Sequence, residues 1–300
     1  MNPTVSLAKS DKPGDLTHPE KTSSPGRYRL PRFPRRLTPG AVISVAILML
    51  VFLWALFPSL FASRDPLVGI GTEKFLPPSA EHWFGTDSLG RDVYTRVVHG
   101  TSASLEATVI AIALAFTVGT LLGAVAGYCG TWIDVGISRS VDVLLAIPSL
   151  LMSLAVITVL GFGTLNIALA VGISSVAVFV RIMRVEVQRV STSDFVKISG
   201  TFGSRWHTTI RRHVIPHSAG PVLALLAMEF GTAVLAVSAL SFLGYGAEWP
   251  APEWGALISD GRTYLRNAWW ISTLPGVVVV AVVLSANHLG RHLRTAGSVQ

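Results

Sequence analysis

The sequence predicts an all-α integral membrane protein with six transmembrane helices. Half of its 300 residues are hydrophobic, only 14% are charged, and the mean hydropathy is +0.55. A soluble domain carries roughly 25% charged residues, so a soluble fold with one large core is excluded. The apolar residues are also gathered into long uncharged runs, which is typical of membrane helices of about 20 residues.

The uncharged runs define the spans in order along the chain. The spans predicted from them are residues 40–62, about 103–128, about 141–161, about 165–185, about 218–241 and about 268–289. About 36 mostly polar residues precede the first run, which is too long for a signal peptide and is interpreted as a retained anchor. The run between Asp142 and Arg181 has room for two crossings, and glycines at 161 and 163 predict a tight turn at its centre.

Lysine and arginine collect on one side of the predicted spans. They crowd the tail before the first span and the loop after the fourth: Lys9, Lys12, Lys21, Arg27, Arg29, Arg32, Arg35 and Arg36, then Arg181, Arg184, Arg189, Lys197, Arg205, Arg211 and Arg212. Because positively charged loops stay in the cytoplasm, both termini are expected to be cytoplasmic. The net charge of +7 follows from this distribution. The sequence contains no basic face with interleaved aromatic residues, so it does not predict a nucleic-acid-binding protein.

The chain is expected to divide into four regions. They are a disordered cytoplasmic tail at 1–36, the first span with an extracytoplasmic segment at 37–101, a transmembrane core at 102–291 and a cytoplasmic tail at 292–300. The first tail is rich in Pro, Ser, Lys and Thr, a composition that cannot bury a core.

A polar, basic segment at 191–217, which we call the coupling segment, interrupts the core. Ser191 and Asp194 form an S-x-x-D box that predicts a helix start, and Gly203 predicts its end. One face of this first helix is apolar, and so is one face of a second helix that Ser204 can cap. The residues of these faces are Phe195, Ile198 and Phe202, then Trp206, Ile210 and Val214; Pro216 ends the second helix.

Two interpretations of the coupling segment stay open from the residues alone. An amphipathic helix that no local core can bury fits a groove on a partner protein. The same helix, with its basic residues, also fits the headgroup layer of a membrane.

The coupling segment resembles the EAA loop of binding-protein-dependent ABC importer permeases. That loop has the pattern E-A-A, three residues, G, nine residues, I-x-L-P, and this chain keeps its spacing with residues 197–199, Gly203 and 213–216. Gly203 and Pro216 match the pattern. The glutamate and the alanines do not, since Lys197 stands where the acid is expected.

Two further segments resemble the second, C-type permeases for oligopeptides, dipeptides and nickel. Residues 82–96, HWFGTDSLGRDVYTR, are similar to their H-x-F-G-T-D-x-x-G-R-D-x-x-S-R segment. Residues 240–246, LSFLGYG, followed by Trp254-Gly255 and by 259–262, SDGR, are similar to their second outer segment. The resemblance covers about residues 35–294 with its motifs in the family's order.

This resemblance implies the type I ABC importer permease fold in a bacterial cell membrane. It implies three kinds of partner: a second, homologous permease subunit, two ATP-binding cassette subunits that use ATP and Mg²⁺, and an extracytoplasmic substrate-binding protein. The residues that would dock the ATPase are Asp194, Phe195, Ile198, Phe202, Gly203, Trp206, Ile210 and Pro216. The implied substrates are di- or oligopeptides, with nickel or another small solute as the alternative.

The chain itself shows no sign of catalysis. It contains no G-x-x-x-x-G-K-[ST] sequence, so it cannot hold ATP phosphates as a P-loop does. No nucleophile and base are arranged together, which argues against a membrane-bound enzyme. Histidine pairs four residues apart, at 213 and 217 and at 288 and 292, lack the cysteines or carboxylates expected of a metal site.

Glu229 is the candidate pathway residue. A charge inside a span costs at least about 2.5 kcal/mol, so such residues are functional by default; pairing with a neighbouring helix is the alternative. An intramembrane acid is also the one hint of a secondary transporter, the alternative from another class. Gly244-Tyr245-Gly246 follows a full span, unlike the re-entrant filter of a potassium channel.

Three other groups have a structural expectation. Gly119, Gly123 and Gly127 would let two helices approach closely, within the chain or against a second subunit. Trp249, Trp254, Trp269 and Trp270 are expected to anchor the membrane interface, with substrate contact as the alternative. Asp87, Arg91 and Asp92 are expected to form a hydrogen-bonded turn outside the second span.

Overall fold

The computed structural model describes residues 39–192 and 215–297, and every regular element in these ranges is helical. The helices are α1 (Pro39–Leu56), α2 (Pro58–Phe61), α3 (Val93–Tyr128), α4 (Thr131–Ala146), α5 (Ser149–Leu160), α6 (Thr164–Ser191), α7 (Ile215–Phe242), α8 (Trp254–Gly261) and α9 (Trp270–Gly297). Short 3₁₀ turns lie at Gly71–Glu73 and Arg262–Tyr264. The predicted disordered tail and most of the coupling segment lie outside the described residues.

Five of the described helices are long and apolar enough to cross a membrane. They are α1, α3, α6, α7 and α9. The pair α4 and α5 passes the same test together but is bent by 94°. The predicted count of six spans is reached when this bent pair is taken as one broken span.

Helix α3 begins ten residues before the predicted second span. Asp92 caps it, because one carboxylate oxygen accepts the backbone N–H of Thr95 at 2.8 Å. At 1.5 Å per residue its 36 residues extend about 54 Å, whereas the hydrocarbon core is about 30 Å thick. The first turns of α3 therefore extend beyond a single membrane crossing, in the segment that the sequence predicts to be extracytoplasmic.

The third span differs from the single helix predicted at about 141–161. Pro148 separates α4 from α5, and Ile147 before it is extended, with ψ at 128°. The residue before a proline is disfavoured in the helical region, so the chain turns there. The lack of charged residues located the span in the sequence, but it gave no information on the break between α4 and α5.

The turn between α5 and α6 is as tight as the sequence predicts. Gly161 and Gly163 have φ of +87° and +123°, in the region that favours glycine. The side-chain amide of Asn166 donates to the backbone oxygens of Leu160 and Phe162 at 3.1 and 2.9 Å. The turn is thus closed by its own side chain.

The centre of the bundle is the pair α3 and α6. The backbones approach closely at Gly119, Gly123 and Gly127, where an added Cβ would lie 2.5–2.8 Å from atoms of α6. The three glycines therefore serve packing within the chain, the first of the two expectations. Helix α7 packs against both α3 and α6, while α1 and α9 pack on the other side of α7 and α3.

Residues 57–92 and 243–269 meet at one end of the bundle, and we call them the distal cap. The indole N–H of Trp270 donates to the Thr86 carbonyl at 3.1 Å, and the rings of Phe75 and Tyr264 lie 5.0 Å apart. The first turn of α1 and the last part of α9 lie together at the opposite end, where Gly40 contacts His288.

Candidate functional site

Most residues predicted to dock an ATPase lie outside the described residues: Asp194, Phe195, Ile198, Phe202, Gly203, Trp206 and Ile210. Pro216 lies in the first described turn of α7, a position where proline is tolerated because that N–H needs no partner. Ser191 is the last residue of α6 and Thr192 follows as its C-cap. No new helix therefore starts at Ser191, in contrast to the expectation, and the coupling segment continues directly from α6.

The end of α6 that leads into the coupling segment is tied to α4. Asp134 binds the guanidinium of Arg184 through both oxygens, with Nη2 at 2.8 Å, and also accepts the amide of Gln188 at 3.1 Å. Both charged side chains are partly buried. A bidentate pair of this kind is stronger and more directional than a single contact.

A second pair extends the same contact. Arg181 lies 3.6 Å from Asp142, with both side chains exposed. Exposed pairs contribute little by themselves, so the stronger charged contact between α4 and α6 is that of Asp134 with Arg184, and Val141 of α4 adds apolar packing against α6. This contact and the glycine contacts of α3 together join α3 and α4 to the end of α6 that precedes residue 193.

Glu229 lies inside α7 and is half-buried. Within the part of the chain that the structure describes, its carboxylate has no ion-pair or hydrogen-bond partner. The adjacent Phe230 packs toward α1 and α9, while Thr232 is exposed on the same helix. A role of Glu229 in the pathway stays a prediction.

The distal cap contains a buried ionic cluster around Asp87. Its Oδ2 accepts Arg91 Nε at 2.7 Å and Arg96 Nη1 at 2.9 Å, and its Oδ1 accepts the backbone N–H groups of Leu89 and Arg91. All three charged residues are less than 5% exposed. The expected hydrogen-bonded turn is confirmed, and Arg96 extends it onto the first turn of α3.

Two of the four tryptophans contradict the expectation of interface anchoring. Trp254 is fully buried and its indole N–H donates to Val97 O at 3.2 Å. Trp270 is also buried, with its N–H on Thr86. Because their rings fill the core beneath the distal cap, neither is available to a membrane interface or a substrate. Trp249 and Trp269 are exposed.

The sequence analysis did not identify Glu253 as a buried acid, and the residue is 0% exposed. Its Oε2 accepts the backbone N–H of Ala247 at 2.8 Å, while its Oε1 has no partner. Burial raises the pKa of the Glu253 carboxyl, and the bond from the Ala247 N–H opposes this. The flanking Pro252 and Trp254 were the available signal, since a charge between them suggests a packed loop.

The Gly244-Tyr245-Gly246 sequence forms a turn that joins two parts of the distal end. Gly244 has φ of +94° and ends α7. The carbonyl of Tyr245 accepts the N–H of Gly163 at 2.9 Å, so the turn is fastened to the α5–α6 hairpin. The tripeptide thus forms the end of a helix and differs from the re-entrant selectivity filter of a potassium channel.

Comparison with known proteins gives a consistent result. Residues 119–296 match the family described as binding-protein-dependent transport system inner membrane component. The chain is 38% identical over 256 residues to the dipeptide transport system permease protein DppC of Alkalihalophilus pseudofirmus, covering 85% of this chain and 84% of that protein. It is 36% identical to the probable D,D-dipeptide transport system permease protein DdpC of Escherichia coli, covering 86% of each.

Two further similarities concern a more distant relative and the fold. The glutathione transport system permease protein GsiD of Pectobacterium atrosepticum is 36% identical over 73% of each chain. Among solved structures, an inward-facing MetNI methionine ABC transporter matches with a TM-score of 0.55 at 16% identity, over 67% of this chain and 95% of that one. At this identity the structural match is informative about the fold alone.

Proposed function

Because the chain belongs to the family of binding-protein-dependent transport inner membrane components, we propose that it is a transmembrane subunit of an ATP-driven importer of di- and oligopeptides. It is a multi-pass protein of a bacterial inner membrane, with relatives that are transport permeases. The observation that carries the peptide assignment is the set of long matches, 34–38% identical, to permeases named for dipeptides and tripeptides.

The proposed mechanism is alternating access. An extracytoplasmic binding protein delivers the peptide, and a second permease subunit completes the pathway. Two cytoplasmic ATPase subunits bind ATP and Mg²⁺ and close on each other, which displaces the coupling segment. Since catalysis belongs to the ATPase subunits, this chain contributes movement of its helices, a rigid-body change of the kind that many transporters use.

The contacts of α6 support this division of work. Displacement of the coupling segment acts first on the end of α6, which continues into it. Asp134 and Arg184 join that end to α4, and Gly123 and Gly127 join it to α3. A displacement at residue 193 is thus transmitted to α3 and α4 as well as to α6, instead of bending α6 alone.

Reconstituted transport tests the proposal. The chain is expressed with its genomic partner permease, ATPases and binding protein, and placed in proteoliposomes with ATP inside. We expect uptake of a labelled dipeptide that requires ATP and the binding protein. Uptake of labelled nickel instead would select the alternative substrate, and uptake driven by a proton gradient without ATP would show a secondary transporter.

Docking through the coupling segment has its own test. Gly203→Pro should abolish both ATPase co-purification and uptake, because proline cannot adopt the left-handed helix end that the sequence predicts at this glycine. Lys197→Ala, at the position where the EAA pattern has its glutamate, is the matched control and should retain both. Normal co-purification of a well-expressed Gly203→Pro protein would contradict docking at this segment.

A further inference from the structure

One buried imidazole in the distal cap is surrounded by charged groups of both signs. His82 is 3% exposed. Its Nδ1 lies 3.0 Å from an Asp92 oxygen, and its Nε2 lies 3.6 Å from a Glu73 oxygen. The Nη1 of Arg64 lies 2.9 Å from Nδ1 and 3.5 Å from Nε2. Two carboxylates and one guanidinium thus compete for the same ring.

These neighbours come from separate parts of the cap. Arg64 lies in residues 62–68, which we call the connector because they join α2 to the rest of the cap. Glu73 belongs to a 3₁₀ turn, and Asp92 is the N-cap of α3. The ring of His82 therefore joins the connector, the 3₁₀ turn and the start of α3.

A neutral imidazole cannot satisfy all three neighbours. It carries one N–H, so it donates to one carboxylate only, whichever tautomer it adopts. Its other nitrogen presents a lone pair, which attracts a guanidinium and repels a second carboxylate. The distances fit this state, because Asp92 and Arg64 lie within hydrogen-bond distance of the ring and Glu73 lies beyond it.

A protonated imidazole selects a different set of partners. Both of its nitrogens donate, so it can bind Asp92 and Glu73 together, and its positive charge repels a guanidinium at 2.9 Å. Arg64 has an alternative partner, because its Nη2 already lies 3.4 Å from Glu81. Its side chain is 45% exposed, so it can leave the ring without burying an unpaired charge.

The other charged groups around the ring keep their state over the pH range in which histidine changes. Carboxyl groups ordinarily titrate near 4 and tyrosines such as Tyr94 near 10, whereas histidine changes charge between pH 5 and 8. Asp87 and Arg91 are paired with each other, and Asp65 accepts a backbone N–H within the connector at 2.8 Å. A second histidine, His99, contacts a backbone carbonyl of the connector at 3.1 Å and serves as a control.

We propose that His82 is a proton-operated switch in the distal cap, which holds Arg64 of the connector when the ring is neutral and exchanges it for Glu73 when the ring is protonated. At acid pH the 3₁₀ turn is drawn toward the start of α3, and the connector is released toward Glu81. The charge distribution of the sequence predicts that this cap is extracytoplasmic, where a protein meets the pH of its surroundings. The switch depends on the contacts of the cap and goes beyond the importer assignment.

Hydrogen exchange of the full chain in lipid nanodiscs, followed by mass spectrometry at pH 5 and pH 8, tests the switch. Rates are corrected for the intrinsic pH dependence of exchange, measured on the denatured chain. Residues 62–68 should exchange about threefold faster at pH 5, the size expected for loss of a partly exposed charged contact. Residues 71–76 should exchange more slowly at pH 5, because Glu73 gains a hydrogen bond. Equal corrected exchange of the connector at both pH values would overturn the proposal.

Substitution of the two histidines assigns the response to one ring. His82→Gln should remove the pH response, because glutamine retains a donor and an acceptor but does not titrate in this range. His99→Gln is the matched control and should keep the response, since this histidine contacts the same connector without a carboxylate partner within the described residues. A response that persists in His82→Gln, or that is lost in His99→Gln, would contradict the assignment to His82.

Arg64→Gln keeps the test decisive if the His82→Gln protein does not fold, since the Arg64 side chain is 45% exposed. Without the guanidinium, the connector should exchange at both pH values as the wild-type connector does at pH 5. A pH response of wild-type size in Arg64→Gln would refute the exchange of partners. Because hydrogen exchange measures no uptake, its result is independent of the importer proposal, and failed uptake leaves the switch standing.

Discussion

The close approach of α3 and α6 makes Gly123 the most informative position for substitution. A Cβ placed there would lie 2.7 Å from both Met183 Cβ and Val180 O. Neither atom can rotate away, because one is a backbone oxygen and the other is the first atom of its side chain. For the Met183 contact to reach an ordinary 3.4 Å, the two helices must separate by about 0.7 Å.

Gly123→Ala should therefore destabilise the protein although alanine is the better helix former. Overpacking of a tight interface costs typically 1–3 kcal/mol, and the gain in helix propensity returns up to about 1 kcal/mol. The net loss of up to about 2 kcal/mol corresponds to a fall in melting temperature of several degrees.

Gly276→Ala is the matched control, because this glycine also lies inside a long helix, α9, and an added Cβ there meets nothing within 4 Å. Both variants are heated in detergent and the temperature of half-loss of the monodisperse peak is measured. Gly276→Ala should melt at or slightly above the wild-type temperature and Gly123→Ala below it. Equal melting of the two variants would refute the described approach of α3 and α6.

Two other predictions concern charged groups. In a double-mutant cycle on Asp134→Asn and Arg184→Gln, melting should give a coupling of about 1 kcal/mol; additive losses would show that this pair does not join α4 to α6. Glu253→Gln should raise the melting temperature at pH 8 and make little difference near pH 4. The raised pKa means that the folded state binds more protons, so wild-type stability falls as pH rises above the ordinary glutamate value of about 4.3. Glu248 is an exposed acid of the same segment, so Glu248→Gln is the control. A Glu253→Gln protein that melts at the wild-type temperature at every pH would contradict the burial of a charged carboxyl.

The positions of the spans could be predicted because insertion in a bilayer depends on local composition. Runs without charge gave the helices, and glycine spacing gave a close helix approach, which the structure places between α3 and α6. The bend at Pro148 and the early start of α3 at Val93 depend instead on the turn preference of proline and on the cap of Asp92. Those signals were present in the sequence but are weaker than the hydropathy on which the boundaries were based.

The ionic cluster of the distal cap was harder to predict because its parts are distant in sequence. Asp87 and Arg91 lie four residues apart, so their turn was recognised. Arg96 and Asp260 are separated by more than 160 residues, and no periodicity links them. The burial of Trp254 and Trp270 was misjudged for the same reason, since an aromatic ring at a span end fits a membrane interface and a folded cap equally well.

Helix α3 connects the two ends of the molecule. Its first turn carries Arg96 into the distal cap, and its glycines contact the part of α6 that precedes the coupling segment. Because α3 is one continuous helix of 36 residues without an internal proline, it transmits displacement as a rod instead of bending at its middle. A movement of α6 driven from the coupling segment would then tilt α3 and shift Arg96 relative to Asp260. The ionic cluster around Asp87 is thus placed to change its geometry when the opposite end of the molecule moves.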